Sequence, residues 1–218
     1  MPDPTPRIVV LISGGGTNLQ ALIDAEAAGS LDGTIVGVIS NRSGVRGLER
    51  AQAADIPIQV IPHQDHEDRA SFDAALMASI DAFSPDLVVL AGFMRILTDS
   101  FVQHYQGRLL NIHPSLLPAW PGLHTHRKVL EAGEREHGAT VHFVTEELDG
   151  GPRILQGRVL VRADDDQDSL AERVGVQERR IYPQAVRWFC QERLRLANGR
   201  AELDGTPLHE PVDMDTNS

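Results

Sequence analysis

The sequence predicts an α/β fold: an open, mostly parallel, doubly wound sheet with helices on both faces, in a single domain. Three observations lead there. The apolar runs Ile8-Val9-Val10-Leu11-Ile12 and Leu87-Val88-Val89-Leu90-Ala91 show no polar alternation, as strands covered on both faces do. Stretches of helical spacing separate such runs. The first run ends in Ser13-Gly14-Gly15-Gly16-Thr17-Asn18, the turn by which a first strand feeds a first helix.

Taken in order, residues 8–12 form the first strand, and residues 18–26 follow as a helix carried by Leu19, Leu22 and Ile23. Residues 35–39 form a second strand, 45–54 a second helix and 58–61 a short third strand. Residues 67–83 have helical periodicity, with Phe72, Leu76 and Ile80 on one face. The strand at 87–91 is the strongest in the chain. A short helix at 100–105 and a strand at 109–112 complete the first half.

The second half has a different rhythm. A short helix around 129–131 precedes strands at 140–144 and 154–161, joined by a long connection. Residues 169–194 are the longest helical stretch, weakened by Gly175 and expected to kink near Pro183. Residues 201–205 suggest a terminal strand and turn. The domain spans 7–206; residues 207–218 are polar, carry three acids and are expected to form a mobile acidic tail.

Composition removes several classes of function. With 20 basic and 31 acidic residues the formal charge is −11, which excludes a sequence-independent nucleic-acid binder. An anionic ligand must then be held by local groups rather than by the overall field. The single cysteine, Cys190, leaves no disulfide framework and no thiolate zinc site. No apolar run approaches a membrane span, and residues 1–7 have no signal core, so a cytoplasmic protein is expected.

The turn 13–18 can surround a phosphate with backbone N–H groups at a helix N-terminus. It is not a Walker A loop, because no Lys-Ser/Thr follows, and Leu19 spoils the dinucleotide pattern. Asn41-Arg42 also ends the second strand where an acid would take a ribose hydroxyl. A phosphate monoester fits better than a dinucleotide; the plain alternative is a tight turn with Thr17 or Asn18 as N-cap.

Five of the nine histidines fall between His113 and His142. His124-Thr125-His126 suggests metal ligands at first sight, but neither an HExxH helix nor cysteine partners accompany it, and no metal is expected. Asn111-Ile112-His113 ends a strand, where open α/β sheets place their sites, and its two polar side chains share a face. An amide beside an imidazole can stabilise an oxyanion; a loop histidine and a capping asparagine are the alternative. Glu146-Glu147-Leu148-Asp149-Gly150-Gly151-Pro152 is either a solvated turn or the source of a carboxylate that orients His113. Arg69 and Arg95 flank the same region and could hold anionic groups.

These segments together resemble the phosphoribosylglycinamide formyltransferase family in its short, monofunctional form. The resemblance rests on Ser13-Gly14-Gly15-Gly16-Thr17-Asn18-Leu19-Gln20, Ala91-Gly92-Phe93-Met94-Arg95-Ile96-Leu97 and Asn111-Ile112-His113-Pro114-Ser115-Leu116-Leu117-Pro118. Gly138-Ala139-Thr140-Val141-His142-Phe143-Val144 and Leu148-Asp149-Gly150-Gly151-Pro152 continue it in order, from about residue 8 to residue 182. It implies a Rossmann-like formyltransferase fold with a phosphate-binding N-terminal half and a folate-binding C-terminal half. It implies the substrates glycinamide ribonucleotide and 10-formyltetrahydrofolate, the latter as co-substrate, in purine synthesis.

By the same resemblance the catalytic residues are Asn111, His113 and Asp149. The ribonucleotide phosphate falls to Gly16, Thr17 and Asn18, with Gln177 and Glu178 near the sugar. The folate falls to Arg69, Met94, Arg95, Ile96, Leu97, Asn111, Thr145, Glu146, Glu147, Leu148 and Asp149. Two departures stand out: Trp120 replaces a tyrosine or phenylalanine, and Gly175 and Arg179 replace a glutamine and a histidine. No nucleic-acid or membrane partner is expected, and the state is a monomer or homodimer.

Chain length disfavours two related readings. A methionyl-tRNA formyltransferase needs an RNA-binding extension, and a formyltetrahydrofolate hydrolase an N-terminal regulatory domain. A non-catalytic nucleotide-binding module would have no use for Asn111, His113 and Asp149 together. An NADP oxidoreductase using Arg42 is disfavoured by Leu19.

Overall fold

The first strand, β1 (Arg7–Ile12), is apolar throughout its interior because both of its faces are covered. Val9 and Leu11 pack with Phe72, Leu76, Ile80, Phe101 and Tyr105; Ile8, Val10 and Ile12 pack with Leu19, Leu22, Val174, Ile181 and Val186. Alternate residues thus enter two separate cores. The computed structural model describes residues 5–214.

After β1 come α1 (Thr17–Ala27), β2 (Thr34–Ser40), α2 (Arg46–Ala53), β3 (Ile58–Val60) and α3 (Arg69–Asp81). Then come β4 (Leu87–Leu90), α4 (Asp99–His104), β5 (Leu109–His113), α5 (Thr125–Ala132), β6 (Glu136–Phe143), β7 (Arg153–Leu160) and α6 (Gln167–Cys190). The chain closes with β8 (Leu194–Ala197), β9 (Arg200–Leu203), β10 (Thr206–Pro207) and β11 (Val212–Asp213). One sheet has eight strands in the order β11-β7-β6-β5-β4-β1-β2-β3, and a second has three, β10-β9-β8. The pairs β3–β2, β2–β1, β1–β4, β4–β5 and β7–β11 are parallel; β5–β6 and β6–β7 are antiparallel.

The order reverses between β1 and β4, so their C-terminal ends open a crevice, the usual ligand position in this architecture. Helix α6 fixes the crevice from behind. Tyr182, fully buried, offers its hydroxyl to the carbonyls of Leu90 (2.9 Å) and Leu110 (3.1 Å), at β4 and β5.

The C-terminal region differs from expectation in two places. The long helix ends at Cys190, not 194, because Leu194 begins a hairpin whose two-residue turn is Asn198-Gly199, both at positive φ (51° and 74°). The same helix continues through Pro183 as one element, where the proline removes the N–H that would reach the Arg179 carbonyl. Ordered structure also runs past 206. Val212 and Asp213 extend the sheet beside β7, the Met214 amide donates to the Gln156 carbonyl (3.0 Å), and Asp213 pairs with Arg158 (2.7 Å). An unpaired β7 edge is a docking template, and residues with little apolar content still satisfy it through backbone bonds. The last part of the expected tail, 215–218, lies outside the described residues.

Candidate active site

The turn after β1 is shaped by one glycine of its three. Gly16 has φ +69°, and a Cβ on it would stand 2.6 Å from Gly47 Cα; Gly14 and Gly15 have open space. Gly16 is also the N-cap of α1 and supplies no side-chain cap, so neither Thr17 nor Asn18 caps the helix as the plain alternative had it. The N–H groups of the first turn therefore have no side-chain cap. Arg50 holds the turn from outside, donating to the Gly15 carbonyl and Gln20 Oε1, both at 2.9 Å.

Ser13 ties this turn to the one after β4. Its hydroxyl donates to Asn41 Oδ1 (2.6 Å) and accepts from the Met94 amide (2.8 Å). Sequence reasoning quotes Ser13 and Asn41 without giving either this role, although each directly follows a strand. The segment after β4 then exposes two apolar side chains, Met94 (63%) and Ile96 (57%), with Leu97 partly buried. Arg95 stacks over the Phe72 ring at 5.9 Å, and its buried Nε has no hydrogen-bond partner among the described residues. Arg69 is exposed at the first position of α3, within the capping box that Asp68 and Ser71 form.

Asn111 and His113, two apart on β5, share a face, and the register sets His142 of β6 directly opposite Asn111. His142 is buried, and burial pushes its pKa down, which keeps it neutral. Its Nδ1 lies 2.9 Å from the Phe143 carbonyl, which only accepts, so the proton sits there. Nε2 then accepts from Asn111 Nδ2 at 3.2 Å. That bond fixes which way the Asn111 amide points and leaves its second N–H for another acceptor. His142 stood inside a quoted motif without a role; only the strand register brings it to Asn111.

Asp149 separates from the acids beside it. It adopts φ 54° and turns its carboxylate inward, where Oδ2 accepts from the Gly122 amide (2.8 Å) and lies 3.4 Å from His113 Nδ1; Oδ1 lies 3.9 Å from His142 Nε2. The side chains of His113 and Asp149 are 8% and 7% exposed. Close backbone contact forces the bend: a Cβ on Gly151 would fall 1.8 Å from the Phe143 carbonyl oxygen. Glu146 and Glu147 remain exposed, Glu146 accepting from Gln103 (3.1 Å), Leu148 is 59% exposed and Thr145 partly buried.

The other nitrogen of His113, Nε2, donates to the Trp120 carbonyl at 3.0 Å. Both ring nitrogens therefore face oxygens. Behind His113, His126 and His137 touch at 3.0 Å (Nδ1 to Nε2), and burial with neighbouring histidines pushes His137 down to about 4.

Of the two residues expected on α6, one reaches the start of α1 after the glycine turn. Glu178 accepts from Asn18 Nδ2 at 3.0 Å, and burial raises its pKa. Gln177 instead faces β7: its Cβ and Oε1 both lie 3.0 Å from where a Gly157 Cβ would be. Adjacent helix residues point about 100° apart, so the two cannot share one partner. A separate cavity of about 640 Å³, lined by Glu26, Asp32, Glu192 and Cys190 among others, opens at the strand N-termini, away from all of these residues.

Residues 6–186 match the family described as formyl transferase. The chain is 54% identical over 202 residues to the phosphoribosylglycinamide formyltransferase of Escherichia coli (strain K12), covering 93% of this chain and 95% of that protein. The corresponding protein of Haemophilus influenzae (strain ATCC 51907 / DSM 11121 / KW20 / Rd) is 46% identical over 202 residues, at the same coverage of 93% and 95%. A solved phosphoribosylglycinamide formyltransferase from Coxiella burnetii superposes with a TM-score of 0.90 at 51% identity, covering 94% of this chain and 96% of that one. With this likeness along nearly its whole length, and a strand-end crevice that gathers a glycine turn, an amide, a histidine and a carboxylate, the chain belongs to the formyl transferase family.

Proposed function

We propose that this protein transfers the formyl group of 10-formyltetrahydrofolate to the amine of glycinamide ribonucleotide, in purine synthesis. One observation carries the reading: Asp149 is folded back onto His113 at the end of β5, on the face that holds Asn111. The phosphate of the ribonucleotide suits Gly16, Thr17 and Asn18 at the uncapped start of α1, with Glu178 beside Asn18. The residues present fit a folate: exposed Met94, Ile96 and Leu148 suit a flat ring system, and Arg69 and Arg95 suit its anionic tail. The folate, when bound, supplies the electrophilic formyl carbon.

The chain's own residues supply the rest. A glycyl amine, with a reference pKa of about 7.7–8.0, is partly neutral at pH 7 and needs little activation. As the nitrogen forms its bond to the formyl carbon it must lose a proton, and Asp149 is the carboxylate placed to accept it, directly or through water; when the bond from that carbon to the folate nitrogen breaks, a proton goes to that nitrogen and tetrahydrofolate leaves. The free N–H of Asn111 faces the oxygen that gains charge, with the His113 ring beside it. His113 can donate to that oxygen itself only when its Nε2–H leaves the Trp120 carbonyl. A reducing, cytoplasmic compartment suits the lone cysteine, whose buried thiol is pushed up to about 12.

The test is a formyl-transfer assay with both substrates. Formylated ribonucleotide and tetrahydrofolate should appear in equal amounts, with no formate released when the ribonucleotide is omitted. Steady formate release from the folate alone would instead identify a hydrolase. A smaller effect is expected at Arg69. It is exposed, so an ion pair there is worth about 1 kcal/mol or less. Arg69→Ala should raise the folate KM modestly and leave kcat nearly unchanged; a collapse of kcat at saturating folate would refute a binding role.

A further inference from the structure

We propose that Arg179 is a specificity-determining residue for the phosphate monoester of the ribonucleotide, its guanidinium resting in room left by Gly175. The inference rests on the phosphate reading of the turn 13–18.

The placement follows from two contacts along α6. Glu178 meets Asn18 at the first turn of α1, while Arg187 and Gln191 reach Asp32, beyond the last turn of α1 (3.1 and 2.7 Å). The two helices therefore run side by side in the same sense. The part of α6 before Glu178 projects past the start of α1, over the turn that carries Gly16.

Side chains on a helix lean toward its N-terminus, so Arg179 reaches back over the turn that holds Gly175. Its Nη1 lies 3.1 Å from where a Gly175 Cβ would stand, and apart from the helix's own backbone and the two chain neighbours no other residue among those described comes within 4 Å of that point. A glycine inside a helix costs stability. No close backbone approach demands it here, and what it admits is the guanidinium. Arg179 is exposed, and no hydrogen bond or ion pair holds it among the described residues; Glu178, whose carboxyl feels its charge, is itself engaged by Asn18. By contrast Arg50, a cation that touches this turn, is spent on Gly15 and Gln20.

A second feature points to a ligand at the same spot. Asn18 is more than nine-tenths buried, and its Oδ1 has no hydrogen-bond partner among the described residues. An acceptor left open beside uncapped N–H groups suits a sugar hydroxyl next to a phosphate. In a chain of net charge −11, a phosphate dianion needs a local cation, and a guanidinium fork binds such oxygens in pairs.

The experiment compares glycinamide ribonucleotide with its dephosphorylated riboside. Arg179→Ala should raise the ribonucleotide KM by about tenfold or more, with kcat and the folate KM within about twofold. Activity on the riboside should not change, and Arg179→Lys should recover part of the loss. Gly175→Ala, which pushes the guanidinium aside, should raise the same KM by less. An unchanged ribonucleotide KM in Arg179→Ala, or an equal loss on both substrates, would overturn the proposal. If the unmodified protein uses ribonucleotide and riboside equally well, the phosphate reading of the turn itself fails, and Arg179 loses its ligand with it.

Discussion

Asp149→Asn should lower kcat by at least about 10²-fold, the lower end for lost general acid–base catalysis. The amide keeps the shape of the carboxylate and can still accept from the Gly122 amide through its oxygen. It cannot take a proton from the substrate amine, and it removes the negative charge 3.4 Å from His113 Nδ1. Both losses fall on the transition state, so KM for either substrate should move much less than kcat. Glu146→Gln and Glu147→Gln, on the exposed side of the same turn, should change kcat only slightly. Steady-state kinetics on the three variants decides the matter; similar activity in all three would show that the buried carboxylate has no part in the chemistry.

The second large effect is expected at Gly16. Valine there must adopt φ +69°, which L-residues with branched side chains rarely do, and must push its Cβ against Gly47 Cα, 2.6 Å away. Residue 47 cannot yield easily, because a Cβ at that position would itself stand 2.5 Å from Ile12 Cδ1 and 2.9 Å from the Gly14 oxygen. The turn and the start of α2 are thus packed backbone to backbone. Gly16→Val should cost on the order of 1–3 kcal/mol of stability, the usual range for a strained residue. It should abolish measurable ribonucleotide binding by calorimetry while folate binding persists. Gly15→Ala, with open space around it, is the contrasting variant and should fold and melt almost as the unmodified chain does. Equal loss of both ligands in Gly16→Val would signal misfolding rather than a damaged phosphate turn.

These expectations could be framed in part before any coordinates, and the reason is visible residue by residue. The run at β1 announces a strand buried on both faces, because a strand with a wet face would alternate. The turn after it announces an anion site, because glycines at that junction free backbone N–H groups. Yet the turn has three glycines, and nothing in their order marks Gly16 as the one that cannot change. That depends on Gly47, which lies in a different helix. The hairpin at Asn198-Gly199 carried a readable signal that helical periodicity overrode, since the leucines near it fit both patterns. The strand at Val212 and Asp213 carried none: it forms because β7 offers an edge.

The sequence by itself determined the layered α/β class, the strand ends that carry Ser13, Met94 and Asn111, and the set of polar residue types gathered there. These are local matters of periodicity, turn chemistry and composition. The tertiary structure alone decided which of them meet. It chose Asp149 over Glu146 and Glu147 by bending one turn inward, because only there does Gly151 allow contact with the Phe143 carbonyl. It brought His142 to Asn111 through the register of two antiparallel strands, and it sent Gln177 to β7 while Glu178 reached Asn18. Register and helix rotation are fixed by packing against distant parts of the chain, so no local pattern of residues contains them.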